Sequence, residues 1–146
     1  MHQSPQQKQV QDSNLKRTRV WRSLQQGWRH WVPEGGRVVM WTPDEELESG
    51  LVQLGYDVVA AGETGEGPLN GVLFRDLAPL AILALPGIDA LLSRLRPDGV
   101  LIQICQQGGK GCAGQSIVSG FKAGWSLKAR YEGAEADRGV TLVWKP

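Results

Sequence analysis

The stretch RVVMWTPDEELESGLVQLGYDVVAAGE, residues 37–63, decides how the chain is read. Its first five residues, RVVMW, are apolar and rich in β-branched side chains, and they predict a strand. Thr42 then stands where a helix cap is needed, with Pro43 at the first helical position and Glu45 three residues beyond the cap. Asp44, Glu45, Glu46 and Glu48 favour the positive end of a helix dipole. Leu47, Leu51 and Leu54 recur on one face, and Gly55 supplies the left-handed stop. YDVVAAG, residues 56–62, reads as a second strand. Two strands joined by a helix imply a parallel pair with a right-handed crossover. In many α/β proteins the first turn of such a unit holds a nucleotide on glycine-rich backbone. Here that turn is Trp41-Thr42-Pro43, with no glycine.

Downstream, ETGEGPLN (63–70) reads as a loop and GVLFRD (71–76) as a strand. Residues 77–99 read as helical material broken at Pro86-Gly87, with Ile88, Leu91, Leu92 and Leu95 on the apolar face of its second part. VLIQIC (100–105) has the composition of a strand buried on both faces. QQGGKGCAG (106–114) reads as a mobile glycine-rich loop and QSIVSGFKAG (115–124) as a short helix. WSLKARYEG and GVTLVWKP alternate apolar and polar residues on either side of AEADR, which predicts a closing antiparallel hairpin. The sum, about six strands alternating with three or four helices, predicts an α/β three-layer sandwich on a mostly parallel sheet.

A chain of 146 residues with 41% hydrophobic residues suits one soluble domain. No apolar run is long enough to cross a bilayer, and MHQSPQQKQV lacks the apolar stretch of a secretion signal, so a cytoplasmic location is expected. Cys105 and Cys112 are separated by six residues, and His2 and His30 lie in another part of the chain. No zinc-ligand set results. Two reduced thiols are expected, one at a strand end and one in a loop, with a regulatory disulfide as the other reading. The same distribution of histidines leaves no general base for a serine or cysteine nucleophile. GGKG (108–111) lacks both the spacing and the hydroxyl of a phosphate-binding P-loop. No catalytic residue and no metal site are nominated.

The net charge of +1 hides an asymmetry: residues 1–33 carry six basic groups against one acid, Asp12. Residues 1–15 are polar and glutamine-rich, and are expected to be a disordered tail. Residues 16–33 read as a basic amphipathic helix, with Trp21, Leu24, Trp28 and Trp31 on one face and Arg17, Arg22 and Arg29 on its flanks. Pro33 and Gly35-Gly36 end it, and the domain proper runs over 34–146. The aromatic face has three open uses: covering the chain's own sheet, docking on a protein partner, or meeting a membrane surface or nucleic acid. For docking, the contact residues would be Trp21, Arg22, Leu24, Trp28, Arg29 and Trp31.

A family resemblance enters at LLSRLRPDGVLIQI (91–104). Leu95-Arg96-Pro97-Asp98-Gly99 before an apolar strand is similar to a motif of class I S-adenosylmethionine-dependent methyltransferases, with Asp98 where a glycine is usual. GFKAGWSLK before a terminal hairpin resembles that family's ending. The resemblance implies a truncated Rossmann-like methyltransferase fold, three-layered and mostly parallel with a C-terminal antiparallel hairpin. It also implies departures. The family's acid-x-Gly-x-Gly turn is replaced by Met40-Trp41-Thr42-Pro43, and its fourth-strand aspartate falls near Asn70-Gly71. The segment between residues 62 and 71 is too short for its third strand and helix. The architecture is similar to non-catalytic methyltransferase-like domains such as the N-terminal domain of anamorsin-type iron–sulfur assembly factors, and to inactive domains of fatty-acid and polyketide synthases. The cysteine-rich tail of the anamorsin type is not matched, and no iron–sulfur chemistry carries over. The resemblance therefore predicts an adaptor without cofactor. The alternative is a divergent active enzyme in which Trp41, Asp44, Glu63 and Asp76 would contact S-adenosylmethionine or substrate.

Overall fold

A computed structural model describes residues 29–63, 65–105, 109–132 and 139–146. The tail at 1–15 and the helix at 16–33, as far as residue 28, lie outside the described residues, as does AEADR.

Six strands form one sheet: β1 (Arg37–Met40), β2 (Asp57–Ala60), β3 (Leu69–Arg75), β4 (Leu95–Cys105), β5 (Ser126–Glu132) and β6 (Val140–Lys145). Their spatial order is β2-β1-β3-β4-β6-β5. The pairs β1–β2, β1–β3 and β3–β4 are parallel. β6 runs antiparallel to β4 and to β5, so the chain closes with the expected hairpin. Beyond residues 29–31, which are helical, the helices among the described residues are α1 (Glu45–Gln53), α2 (Pro79–Leu83), α3 (Ile88–Leu92) and α4 (Gly109–Lys122), with a 3-10 turn at Ala61–Glu63.

Alternation along the strands builds two cores, one on each sheet face. Val39, Val72, Phe74, Leu101, Cys105, Leu142 and Trp144 belong to one, together with Ile82, Ile88, Leu91 and Ala113 from α2, α3 and α4. Val38, Met40, Leu73, Val100, Ile102, Ile104 and Val143 point the other way, onto Leu47 and Leu51 of α1, Tyr56 and Val32. VLIQIC is buried at every position, as its composition predicts, and Gln103 is buried with it.

Three local expectations are corrected. The cap of α1 is Asp44, whose Oδ1 accepts the Leu47 amide hydrogen bond at 3.2 Å, and not Thr42; Pro43 stays outside the helix. Gly55 does follow α1 with φ +93°. The second correction concerns Leu95. Helix α3 ends at Leu92, because the Arg94 carbonyl accepts from the Leu69 amide at 2.8 Å and draws Leu95 into the sheet. Arg96–Gly99 then bulge out between the pairs Leu69–Leu95 and Gly71–Val100. Gly99 sits where a Cβ would meet the Arg96 carbonyl at 3.0 Å and the Leu69 carbonyl at 3.2 Å. The Lys145 ammonium donates to the Pro97 and Gly99 carbonyls and holds the bulge. The third correction lengthens a helix: α4 starts at Gly109, so Cys112 lies on it and not in a loop.

Candidate functional site

Open α/β sheets bind ligands outside the carboxyl ends of their strands, where the strand order reverses. From β1 the chain steps outward to β2, then returns past β1 to β3 on its other side. The crevice therefore lies over the ends of β1 and β3, where Trp41, Asp44 and Asp76 emerge.

Trp41 continues the β1–β3 ladder by one bond, its amide donating to the Leu73 carbonyl at 3.0 Å. Its indole stacks on Phe74 of β3, with ring centroids 5.6 Å apart and planes 30° apart. Phe74 is fully buried and Trp41 is half-buried, so the indole covers one core between the two strand ends. Asp44 has work for both oxygens. Oδ1 caps α1, and Oδ2 accepts from the Arg75 guanidinium at 2.6 Å. Arg75 also lies 3.7 Å from Asp76, making a three-membered charge cluster at the mouth of the crevice. Asp76 turns the chain out of β3 with φ +55°, the left-handed region that aspartate enters more readily than most residues, and its amide donates to the Ile104 carbonyl at 2.8 Å. The structure thus brings Trp41, Asp44 and Asp76 to one end of the sheet.

Glu63 stands apart from them: it is exposed in the 3-10 turn. A pocket of about 240 Å³ lies over the ends of β1 and β2, lined by Met40, Trp41, Pro43, Glu48, Val58, Val59 and the turn Ala60–Gly62. Its acid is Glu48 from the first turn of α1, which the sequence pattern credits only to the helix dipole. The one available signal is position, since Glu48 follows the capping Asp44 by a full turn.

A buried polar cluster behind the crevice also escapes sequence reasoning. Gln103 Nε2 donates to Ser116 Oγ at 2.7 Å, and Gln103 Oε1 accepts from the Trp144 indole at 3.0 Å. These contacts bind α4 to β4 and β6, and satisfy an amide that would be costly to bury alone. The only hint in the sequence is a glutamine inside an apolar run. Cys105 closes the cluster, and burial, with Cys112 second, pushes its thiol up to about 12.

Of the six nominated docking residues, Trp21, Arg22, Leu24 and Trp28 lie outside the described residues. Arg29 is exposed. Trp31 is half-buried on the body, its indole donating to the Tyr131 hydroxyl at 3.1 Å. Val32 beside it is fully buried, and its carbonyl accepts from Tyr56 Oη at 3.0 Å. Among the described residues no group of three His, Cys, Asp or Glu could hold a metal ion, and no helix is long and apolar enough to cross a membrane.

No protein-family model and no curated protein matches the sequence. Solved structures do match the fold. The ribosomal protein L11 methylase of Lactobacillus delbrueckii subsp. bulgaricus superposes with a TM-score of 0.54 at 14% identity, covering 84% of this chain and 76% of that one. Phosphoethanolamine N-methyltransferase 2 of Haemonchus contortus, solved in complex with S-adenosyl-L-methionine, gives 0.57 at 18% identity over 86% of this chain and 36% of that one. At such identities the likeness speaks for the fold alone. The chain shares the fold of these methyltransferases, a truncated Rossmann-like sheet that is mostly parallel and closed by an antiparallel hairpin.

Proposed function

We propose that this chain is a non-catalytic methyltransferase-like domain, an interaction subunit or adaptor in a larger cytoplasmic assembly, that meets a protein partner through residues 16–33. The observation that carries the reading is the Trp41–Phe74 stack in the crevice between β1 and β3. A cofactor laid against the end of β1 needs close backbone approach and free N–H donors. Trp41 puts an indole there, and Pro43 has no N–H to offer. Asp44 is engaged on both oxygens. The pocket over the ends of β1 and β2, about 240 Å³, is smaller than the roughly 300–1,000 Å³ of sites for drug-sized ligands. The described residues at the end of β1 do not fit S-adenosylmethionine, and no methyl-transfer step follows from them.

The sequence of the arm supplies the anchors that interfaces favour, tryptophans spaced for one helical face with arginines on its flanks. Its basic groups are too few to make nucleic acid or a membrane surface the preferred partner. The resemblance of the sequence to non-catalytic domains of the anamorsin type implies such a role. Calorimetric titration of the protein with S-adenosylmethionine up to millimolar concentration is expected to give no saturable heat. A dissociation constant in the micromolar range would overturn the proposal. The alternative, a divergent active methyltransferase, draws on the pocket that Glu48 faces and on the fold shared with a protein solved with S-adenosyl-L-methionine. Transfer of a labelled methyl group from that cofactor to a lysate component would establish it.

A further inference from the structure

Cys105 is the last residue of β4 and is fully buried, while Cys112 lies in the first turn of α4 and is half-buried. The Cys105 sulfur is 3.9 Å from Ser116 Oγ and 3.7 Å from Gln103 Nε2. Ser116 is one helical turn beyond Cys112, so both side chains face the same way from α4. Cys112 packs against the same apolar cluster as Cys105 and adds to the upward push on its thiol. Both are free.

From this juxtaposition we infer that Cys105 and Cys112 are an oxidisable dithiol that a hydroperoxide converts to an intrachain disulfide, pinning the first turn of α4 to the end of β4 beside Asp76. The accessible thiol reacts first. The Cys112 thiolate attacks the peroxide oxygen, the O–O bond breaks, and Cys112 becomes a sulfenic acid while the peroxide leaves as an alcohol, or as water from hydrogen peroxide. The Cys105 sulfur then attacks the Cys112 sulfur; hydroxide departs and takes up the Cys105 proton as water. Two thiols lose two electrons and two protons, and one peroxide is reduced. The raised pKa of Cys105 assigns it the second step and makes that step faster in alkali. This inference is independent of whether S-adenosylmethionine binds.

The test uses the reduced full chain, treated with hydrogen peroxide and then alkylated with iodoacetamide. A mass loss of about 2 Da is expected, with neither thiol alkylated and both recovered after dithiothreitol. Trypsin cuts after Lys110, so the two cysteines fall in separate peptides that only a disulfide joins. The half-buried site tolerates Cys112→Ser, and that variant should leave Cys105 unoxidised. Cys105→Ser should leave Cys112 as a sulfenic acid trapped by dimedone. Any one of three results would overturn the inference: no mass change under conditions that oxidise glutathione, over-oxidation of Cys112 with Cys105 still alkylatable after unfolding, or a disulfide found only between chains.

Discussion

Asp44 joins local and distant structure through the two oxygens of one carboxylate. The cap on Leu47 is a neighbour effect that the sequence pattern invites; the Arg75 contact comes from 31 residues away. Thr42 has the right chemistry for a cap and Pro43 suits a first helical position, which is why the local reading stops two residues early. The long-range ion pair lies beyond any local pattern. With side chains 21% and 35% exposed, the pair is partly screened, and the cap is the larger contribution. Asp44→Ala is therefore expected to cost about 1–2 kcal/mol in urea denaturation. Asp44→Asn keeps an equally good cap and should cost less than half of that. Equal losses for the two variants would make the Arg75 pair, and not the cap, the dominant contact. Trp41 illustrates the opposite case. Its identity alone marks a turn after β1 without glycine, and its stack on Phe74 follows from the register of β1 on β3.

Among the elements, the strands are legible because apolar, β-branched runs and period-two alternation mark them, whereas the start of α4 is not. Gly109, Gly111 and Gly114 each weaken a helix by about 1 kcal/mol relative to alanine, and propensity alone reads the segment as a loop. Packing outweighs propensity here, through Ala113, Ser116 and Ser119 on the inner face. Gly120 is the tightest point of the contact, since a Cβ there would meet the Trp144 ring at 2.1 Å. Trp144 cannot easily yield: Gln103 holds its indole nitrogen, and Trp125 and Phe121 pack edge-on against it. Gly120→Ala should therefore destabilise by roughly 1–3 kcal/mol despite the gain in helix propensity. Gly114→Ala, with open space around its Cβ, should stabilise by roughly 0.5–1 kcal/mol. A rise in the urea midpoint for both variants would mean that α4 is not seated on Trp144. The LRPDG bulge is visible as a motif but misplaced by local reading, because its cause is a hydrogen bond from β3 and a lysine from the last strand, neither of them local.

Across the whole molecule, the order of elements makes the layers and the closing hairpin readable. The truncated edge is readable by counting: from Ala60 to Leu69 the chain is shorter than the dozen or more residues that a parallel crossover through a further strand would need. The sheet accordingly ends at β2. What counting cannot supply is where the basic arm meets the body. That junction is Trp31 and Val32, one tied to Tyr131 and the other sealed against Gly36 and Gly71. Two truncations separate an arm that serves a partner from an arm that serves the core. Removing residues 1–28 keeps the junction, and should leave unfolding free energy within about 0.5 kcal/mol of the full chain while abolishing partner capture. Removing residues 1–33 also strips the buried valine, its hydrogen-bonded carbonyl and the indole, and should cost roughly 3 kcal/mol. If the shorter truncation is already as damaging as the longer one, the apolar face of residues 16–28 belongs to this chain's own core, and the adaptor reading loses its contact surface.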